Sequence, residues 1–195
     1  ANITYHYRSS NEELIDFSNK AFYSGTLQIA PNVSKNLKHK PIERVLVDGK
    51  WADRKNVIEA EKVVELIGQV LKTRKNNETI GVITFNVEQE NIIEDLIDKK
   101  CFEDDEFRNL YIKESSRVEN NEDVGLFVKN LENVQGDERD IVIFSVGYAR
   151  NEYGKVNATF GSLSNEGGEN RLNVAITRAK KKIYVVTSIE PEELK

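Results

Sequence analysis

The segment RLNVAITRAKKKIYVV, residues 171–186, sets a charged residue, Arg178, on a helix that runs into a strand, an arrangement suited to an anion or an acid. Apolar residues recur at Leu172, Ala175, Ile176 and Ala179, which is helical spacing, while Arg171, Val174 and Arg178 share another face. At roughly 1.5 Å rise per residue the two arginines lie about 10 Å apart on one side. The β-branched and aromatic run 183–187 has the length of a core strand. The same residues also fit a surface helix whose basic last turn, Arg178 with Lys180, Lys181 and Lys182, complements the negative end of its dipole. That account suffices for the lysines and leaves Arg178 open between the two readings.

A second constellation is QGDERDIVIFSV, residues 135–146, a polar turn feeding a strand. Asp137 and Glu138 precede this strand, whereas a metal-holding acidic pair in a nucleotide hydrolase follows its strand, at the carboxyl end where ligands collect. Gly136 permits a tight turn, Gln135 offers both a donor and an acceptor, and Glu138 is an acceptor suited to a ribose hydroxyl. The alternative is a surface turn in which Glu138 pairs with Arg139. In YHYRS, residues 5–9, Tyr7 stands beside Arg8, so an aromatic ring could stack on a base while the guanidinium takes phosphate. In VITFNVEQ, residues 82–89, polar residues open a helix whose positive end suits a backbone phosphate, although ordinary capping explains them as well.

These residues need elements to hold them. Residues 9–25 read as a capped helix with an apolar stripe at Leu14, Phe17, Ala21 and Phe22. Val45 to Val47 read as a strand closed by the turn signal Asp48-Gly49. A long helix is expected over 53–72, with apolar Val57, Ala60, Val64, Ile67 and Leu71 recurring at three and four residues, Glu59, Glu61, Lys62 and Glu65 on other faces, and Trp51 packed at its start. A strand over 79–84 and a helix carrying Ile93, Leu96 and Ile97 follow, then an acidic solvated loop over 103–106. The continuous apolar runs at 125–129, 141–146 and 183–186 suit strands buried on both faces of a parallel sheet, which favours a three-layer α/β domain. The glycine-rich connection 147–170 is long enough to be functional or flexible, with a small strand or hairpin over 155–160.

With 195 residues, 38% of them hydrophobic, the chain suits one domain, 1–195, with a sizeable core. No apolar run has the length of a membrane span, and the first residues lack the charged-then-apolar pattern of a signal peptide. The single cysteine, Cys101, excludes an intrachain disulfide, and no zinc spacing is present, which fits a reducing cytoplasm. A net charge of −5 argues against gripping duplex DNA by a broad basic surface and leaves local contacts with a single strand open. The opening ANITYHYRSS and the lack of methionine suggest a fragment of a larger protein.

Taken in order, HYRS, VITFNVEQ, QGDERDIVIFS and RLNVAITRAKKKIYVV resemble the second RecA-like motor domain of superfamily I helicases, with a mainly parallel central sheet. The likeness is greatest to the branch that includes the nonsense-mediated-decay helicase and its bacterial relatives, and it spans nearly the whole chain. The resemblance implies that Arg8 and Arg178 reach the γ-phosphate of ATP, that Tyr7 stacks on the base, and that Glu138 takes a ribose hydroxyl beside Gln135 and Gly136. Arg171 is left unassigned. Thr84, Gln89 and Asn130 are the implied contacts to single-stranded nucleic acid, DNA or RNA. Asn130 stands where the family has threonine, and Phe85-Asn86 replaces the usual Pro-Tyr.

The chain has no GxxxxGK[ST] loop, and around Lys155 the glycine spacing is wrong and no Ser or Thr follows the lysine. ATP with Mg2+ is therefore expected to be held mainly by a preceding N-terminal RecA-like domain, with this one closing over it. Two other classes compete. One is a degenerate nucleotide-binding or protein-interaction domain without motor activity. The other is a nuclease, which would need carboxylates and a lysine converging on a metal, whereas Glu59, Glu61 and Lys62 fall within an amphipathic helix.

Overall fold

The computed structural model describes residues 5–6, 28–29, 42–134, 136–156 and 174–189. Near the start, β1 (Tyr5–His6) and β2 (Gln28–Ile29) pair in parallel. The central sheet comprises β3 (Ile42–Leu46), β4 (Ile80–Thr84), β7 (Phe127–Asn130), β8 (Arg139–Ser145) and β9 (Ala179–Thr187), in the order β3-β9-β8-β4-β7. Every pairing in it is parallel, as the continuous apolar runs imply. A small antiparallel hairpin, β5 (Val118–Glu119) with β6 (Glu122–Asp123), turns through Asn120 and Asn121, both at positive φ. Two adjacent left-handed residues are what a tight hairpin turn requires, and asparagine tolerates them.

Alternate residues of the strands face opposite layers. Ile80, Val82, Ile141, Ile143 and Val186 join a core with helices α1 (Val57–Thr73), α2 (Val87–Glu103) and α3 (Asp105–Ser115). Ile83, Val142, Phe144, Ile183 and Val185 pack on the other face against Leu131, Val134, Ala175, Ile176 and Ala179. Both faces of the sheet are thus covered, and the α/β fold with a parallel centre stands as expected. No helix among the described residues is long and apolar enough to cross a membrane.

Several local expectations change. The long helix starts at Val57 rather than residue 53, because Asp53 and Arg54 sit at φ 50° and 62° and Asn56 provides the cap. Trp51, just before it, stacks on Tyr148 with ring centroids 4.6 Å apart. The acidic stretch 103–106 is a helix junction: Asp104 accepts the Phe107 N–H as the cap of α3, burying Phe107. Strand β9 begins at Ala179, four residues earlier than the apolar run, so Lys180, Lys181 and Lys182 are strand residues and not the last turn of a helix. Pairing with β8 wins over their polarity because carboxylates lie alongside: Lys181 meets Asp140 at 3.2 Å and Lys182 meets Glu43 at 2.8 Å. Of the hairpin expected over 155–160, the structure gives an isolated bridge between Arg150 and Val156, and 157–160 lie outside the described residues.

The start of β8 is anchored by Arg139, whose guanidinium donates to the Gly125 carbonyl from Nε at 3.0 Å and Nη2 at 2.8 Å and lies over the Phe127 ring. Gly125 is there by necessity, since a Cβ on it would come within 2.2 Å of the Ser115 carbonyl oxygen. Gly125→Ala is therefore expected to lower stability by about 1–3 kcal/mol through backbone displacement. Urea denaturation checks this, and an unchanged midpoint would contradict it.

Candidate functional site

In a parallel pair the residues that precede both strands lie at the same edge of the sheet. Arg139 pairs with Ala179, and the Arg139 N–H donates to the Arg178 carbonyl at 3.0 Å. Glu138 and Arg178 are therefore neighbours at the amino edge. Residues 174–176 form a helical turn that inserts Ala175 and Ile176 into the core and closes when the Arg178 N–H reaches the Ala175 carbonyl at 3.0 Å. Arg178 is only 3% exposed: Nε donates to the Val174 carbonyl at 3.0 Å and Nη2 to Thr177 Oγ1 at 3.3 Å. Its Nη1 stands 3.9 Å from Glu138 Oε1, and Lys180 Nζ stands 3.9 Å from Glu138 Oε2. At that separation the carboxylate acts on the cations through charge rather than a close hydrogen bond.

The turn before β8 pivots on Gly136, at φ 94°, which favours glycine. Asp137 binds Lys129 at 2.7 Å, Arg139 donates to the Glu138 carbonyl, and the Glu138 carboxylate lies 3.9 Å from both Arg178 and Lys180. Tyr7, Arg8, Gln135 and Arg171 lie outside the described residues, as does the helix expected over 9–25.

The seven residues of β8, at about 3.3 Å each, separate this edge from the carboxyl edge, where Thr84, Gln89 and Asn130 gather. Thr84 Oγ1 donates to the Asn86 carbonyl at 2.8 Å. Asn130 gives both its N–H and Nδ2 to Glu90 Oε2, at 2.9 and 2.6 Å. Gln89, wholly buried, accepts the Asn56 N–H at 2.8 Å and donates from Nε2 to the Asn56 carbonyl and to Ser145 Oγ. The polar atoms of these three side chains thus fasten α2 to β7, β8 and α1.

Glu59 was expected on a polar face of α1 and is instead completely buried. Its Oε1 accepts from Ser145 Oγ at 2.8 Å and from the Gly147 N–H at 2.6 Å, and Asn56 Nδ2 stands 3.3 Å from Oε2. Asn-x-x-Glu at a helix start, residues 56–59, was the available signal. Here Asn56 caps the Glu59 N–H at 3.1 Å, while Gln89 takes the backbone N–H that the glutamate of a capping box would accept. Burial lifts the Glu59 carboxyl from its ordinary 4.5 to about 8, against the downward pull of hydrogen bonds from Gly147, Ser145 and Val146. Glu61 is exposed and Lys62 pairs with Glu65 at 2.8 Å, so these three side chains do not converge.

A family model described as an AAA domain matches residues 1–190. The chain belongs to that family. It is 45% identical over 183 residues to an uncharacterized ATP-dependent helicase of Mycoplasma pneumoniae, covering 93% of this chain and 15% of that protein. It is 44% identical over 193 residues to an uncharacterized ATP-dependent helicase of Mycoplasma genitalium, covering 98% of this chain and 16% of that protein. The chain thus spans less than a fifth of the length of the relatives it matches. Among solved structures, the C-terminal domain of a possible DNA helicase from Lactobacillus plantarun WCFS1 is similar at a TM-score of 0.50 and 14% identity, covering 93% of this chain and 86% of that one. That likeness shows the RecA-like α/β fold. Family, relatives and fold agree with the helicase resemblance carried by the order of the four motifs.

Because the folded carboxyl of Glu59 holds its proton up to about 8, the stability it contributes is fully present below 4.5 and is lost as pH rises through about 8. The loss runs at up to about 1.4 kcal/mol per pH unit in that window. Glu59→Gln cannot titrate, so its thermal-melting profile should fall less steeply over that range. Parallel profiles for the two proteins would refute the assignment.

Proposed function

We propose that this chain is the C-terminal motor domain of an ATP-dependent helicase or translocase that acts on single-stranded DNA or RNA. The observation that carries the reading is the juxtaposition of Arg178 and Glu138 at the amino edge of two adjoining strands, in a chain whose relatives are named ATP-dependent helicases. ATP is held mainly by an N-terminal RecA-like domain, and this domain closes over it. Magnesium is held with the nucleotide by that other half of the site.

Arg178 and Arg8 act as the arginines that meet charge developing on the transferred phosphoryl group. In the structure Arg178 spends Nε and Nη2 on its own turn. Engaging a phosphate exchanges those neutral acceptors, and the distant Glu138 carboxylate, for a more highly charged one. Glu138, 39% exposed at its side chain, then turns to the ribose hydroxyl, with Gln135 and Gly136 shaping the nucleotide side of the cleft and Tyr7 stacking on the base. Domain closure around ATP displaces the carboxyl edge along the bound strand, so turnover becomes translocation. Thr84, Gln89 and Asn130 serve that track by shaping its floor, since their polar atoms are bonded within the protein.

In the full-length protein, Arg178→Ala should leave ATP binding largely intact while nucleic-acid-stimulated hydrolysis falls by about 10³ to 10⁵, as for other arginine fingers. That loss corresponds to roughly 4 to 7 kcal/mol of transition-state stabilisation. Steady-state ATPase assays beside nucleotide-binding titrations decide it, and unchanged turnover would sink the assignment. Because the site is shared, the chain 1–195 alone should show no measurable ATPase, and robust hydrolysis by it would overturn the split-site arrangement.

A further inference from the structure

Glu59 is a buried carboxyl group that the proposed nucleotide chemistry does not use. Around it the hydrogen bonds form one connected set. Oε1 takes the Ser145 hydroxyl and the Gly147 N–H, and Ser145 Oγ in turn accepts from Gln89 Nε2 at 3.0 Å. Asn56 Nδ2 donates to Ser188 Oγ at 2.8 Å, and the same oxygen accepts the Gly49 N–H at 3.2 Å. The set therefore joins the loop after β3, the residue after β9, the start of α1, the end of β8 and the first turn of α2.

We propose that Glu59 is a positioning residue for the single-strand track, fixing the backbone beyond β8 relative to the first turn of α2. The proposal rests on the reading that the strand lies across the carboxyl edge. Gly147, whose N–H is the backbone anchor, sits at φ 77°, and a Cβ there would stand 3.3 Å from the Gln89 side chain. The chain therefore turns sharply where Glu59 holds it. Beyond the turn, Tyr148 stacks on Trp51, and the Arg150 carbonyl takes the Trp51 N–H at 3.0 Å. Without the carboxyl anchor, the Gly147 N–H and the Ser145 hydroxyl lose their acceptor in a site that water does not reach. The segment carrying Tyr148 and Arg150 would then settle elsewhere.

The test uses the full-length protein, with labelled oligo-dT and oligo-U read by fluorescence anisotropy and strand-stimulated ATPase measured in parallel. Glu59→Leu is expected to weaken strand binding about tenfold, in line with the loss of a buried acceptor. It should raise the strand concentration for half-maximal stimulation equally, while turnover at saturating strand and the KM for ATP change by less than about twofold. Glu59→Gln keeps an acceptor at Oε1 and should restore binding. If Glu59→Leu fails to fold, Ser145→Ala decides, since it removes the hydroxyl that links Glu59 to Gln89 and leaves the Gly147 bond in place: weaker strand binding supports the proposal and unchanged binding overturns it. A folded Glu59→Leu protein with unaltered affinity overturns it too, as does a fall in turnover as large as the fall in affinity. Failure of the unsubstituted protein to bind either oligonucleotide would refute the track itself, and the proposal with it.

Discussion

The parallel pairing of β8 with β9 is the constraint on which the rest of this structure depends. Because the two strands run the same way, their preceding residues meet at one edge, and this brings Glu138 to Arg178. The register is fixed by the side chains: Ile141 and Ile143 face the helices, while Val142 and Phe144 face Ala175, Ile176 and Ala179. A slip of one residue would exchange these sets and expose each to the wrong layer. The irregularity between Arg139 and Ile141 lets the strand start in the loop's geometry and continue in the core's. The same pairing carries both ends of the structure, since Ser145 at the far end of β8 is the residue that Glu59 and Gln89 share.

The two edges are built in contrasting ways. At the amino edge charged groups gather: Glu138 lies 3.9 Å from both Arg178 and Lys180, and Asp137 binds Lys129 at 2.7 Å. At the carboxyl edge Thr84, Gln89, Asn130, Ser145 and Glu59 are buried and bonded within the protein. That edge behaves as part of the core. Since β8 and β9 are continuous and packed on both faces, a displacement imposed at one edge moves the other with it, which is what a motor domain that closes on nucleotide would need.

Much of this was legible in the sequence where side-chain pattern and structure share a cause. The continuous apolar runs of β4, β8 and β9 report strands buried on both faces, and the spacing of Val57, Ala60, Val64, Ile67 and Leu71 reports α1. What escaped depends on partners distant in the chain. The lysines of β9 look like a helix end until Asp140 and Glu43 are beside them. Glu59 reads as solvated because its acceptor role is set by Ser145 and Gly147, more than eighty residues away. Thr84 and Asn130 at strand ends and Gln89 at a helix start were legible as polar groups, but the sequence does not say whether such groups point outward or inward. The junction at Asp104 was missed because an acidic cluster suits a helix cap and a loop equally.

A carboxyl group in such a place needs a physical reason. An apolar residue of similar size would fill the same volume without the desolvation that raises Glu59 to about 8. It would, however, leave the Gly147 N–H and the Ser145 hydroxyl without their acceptor, and would release Ser145 from a fixed orientation toward Gln89. The gain from Glu59 is therefore specificity of geometry more than net stability, since it converts a corner where five segments meet into one arrangement. Selection for stability alone would favour the apolar solution. A buried acid at the edge opposite Arg178 makes physical sense where the shape of that edge is what the molecule requires.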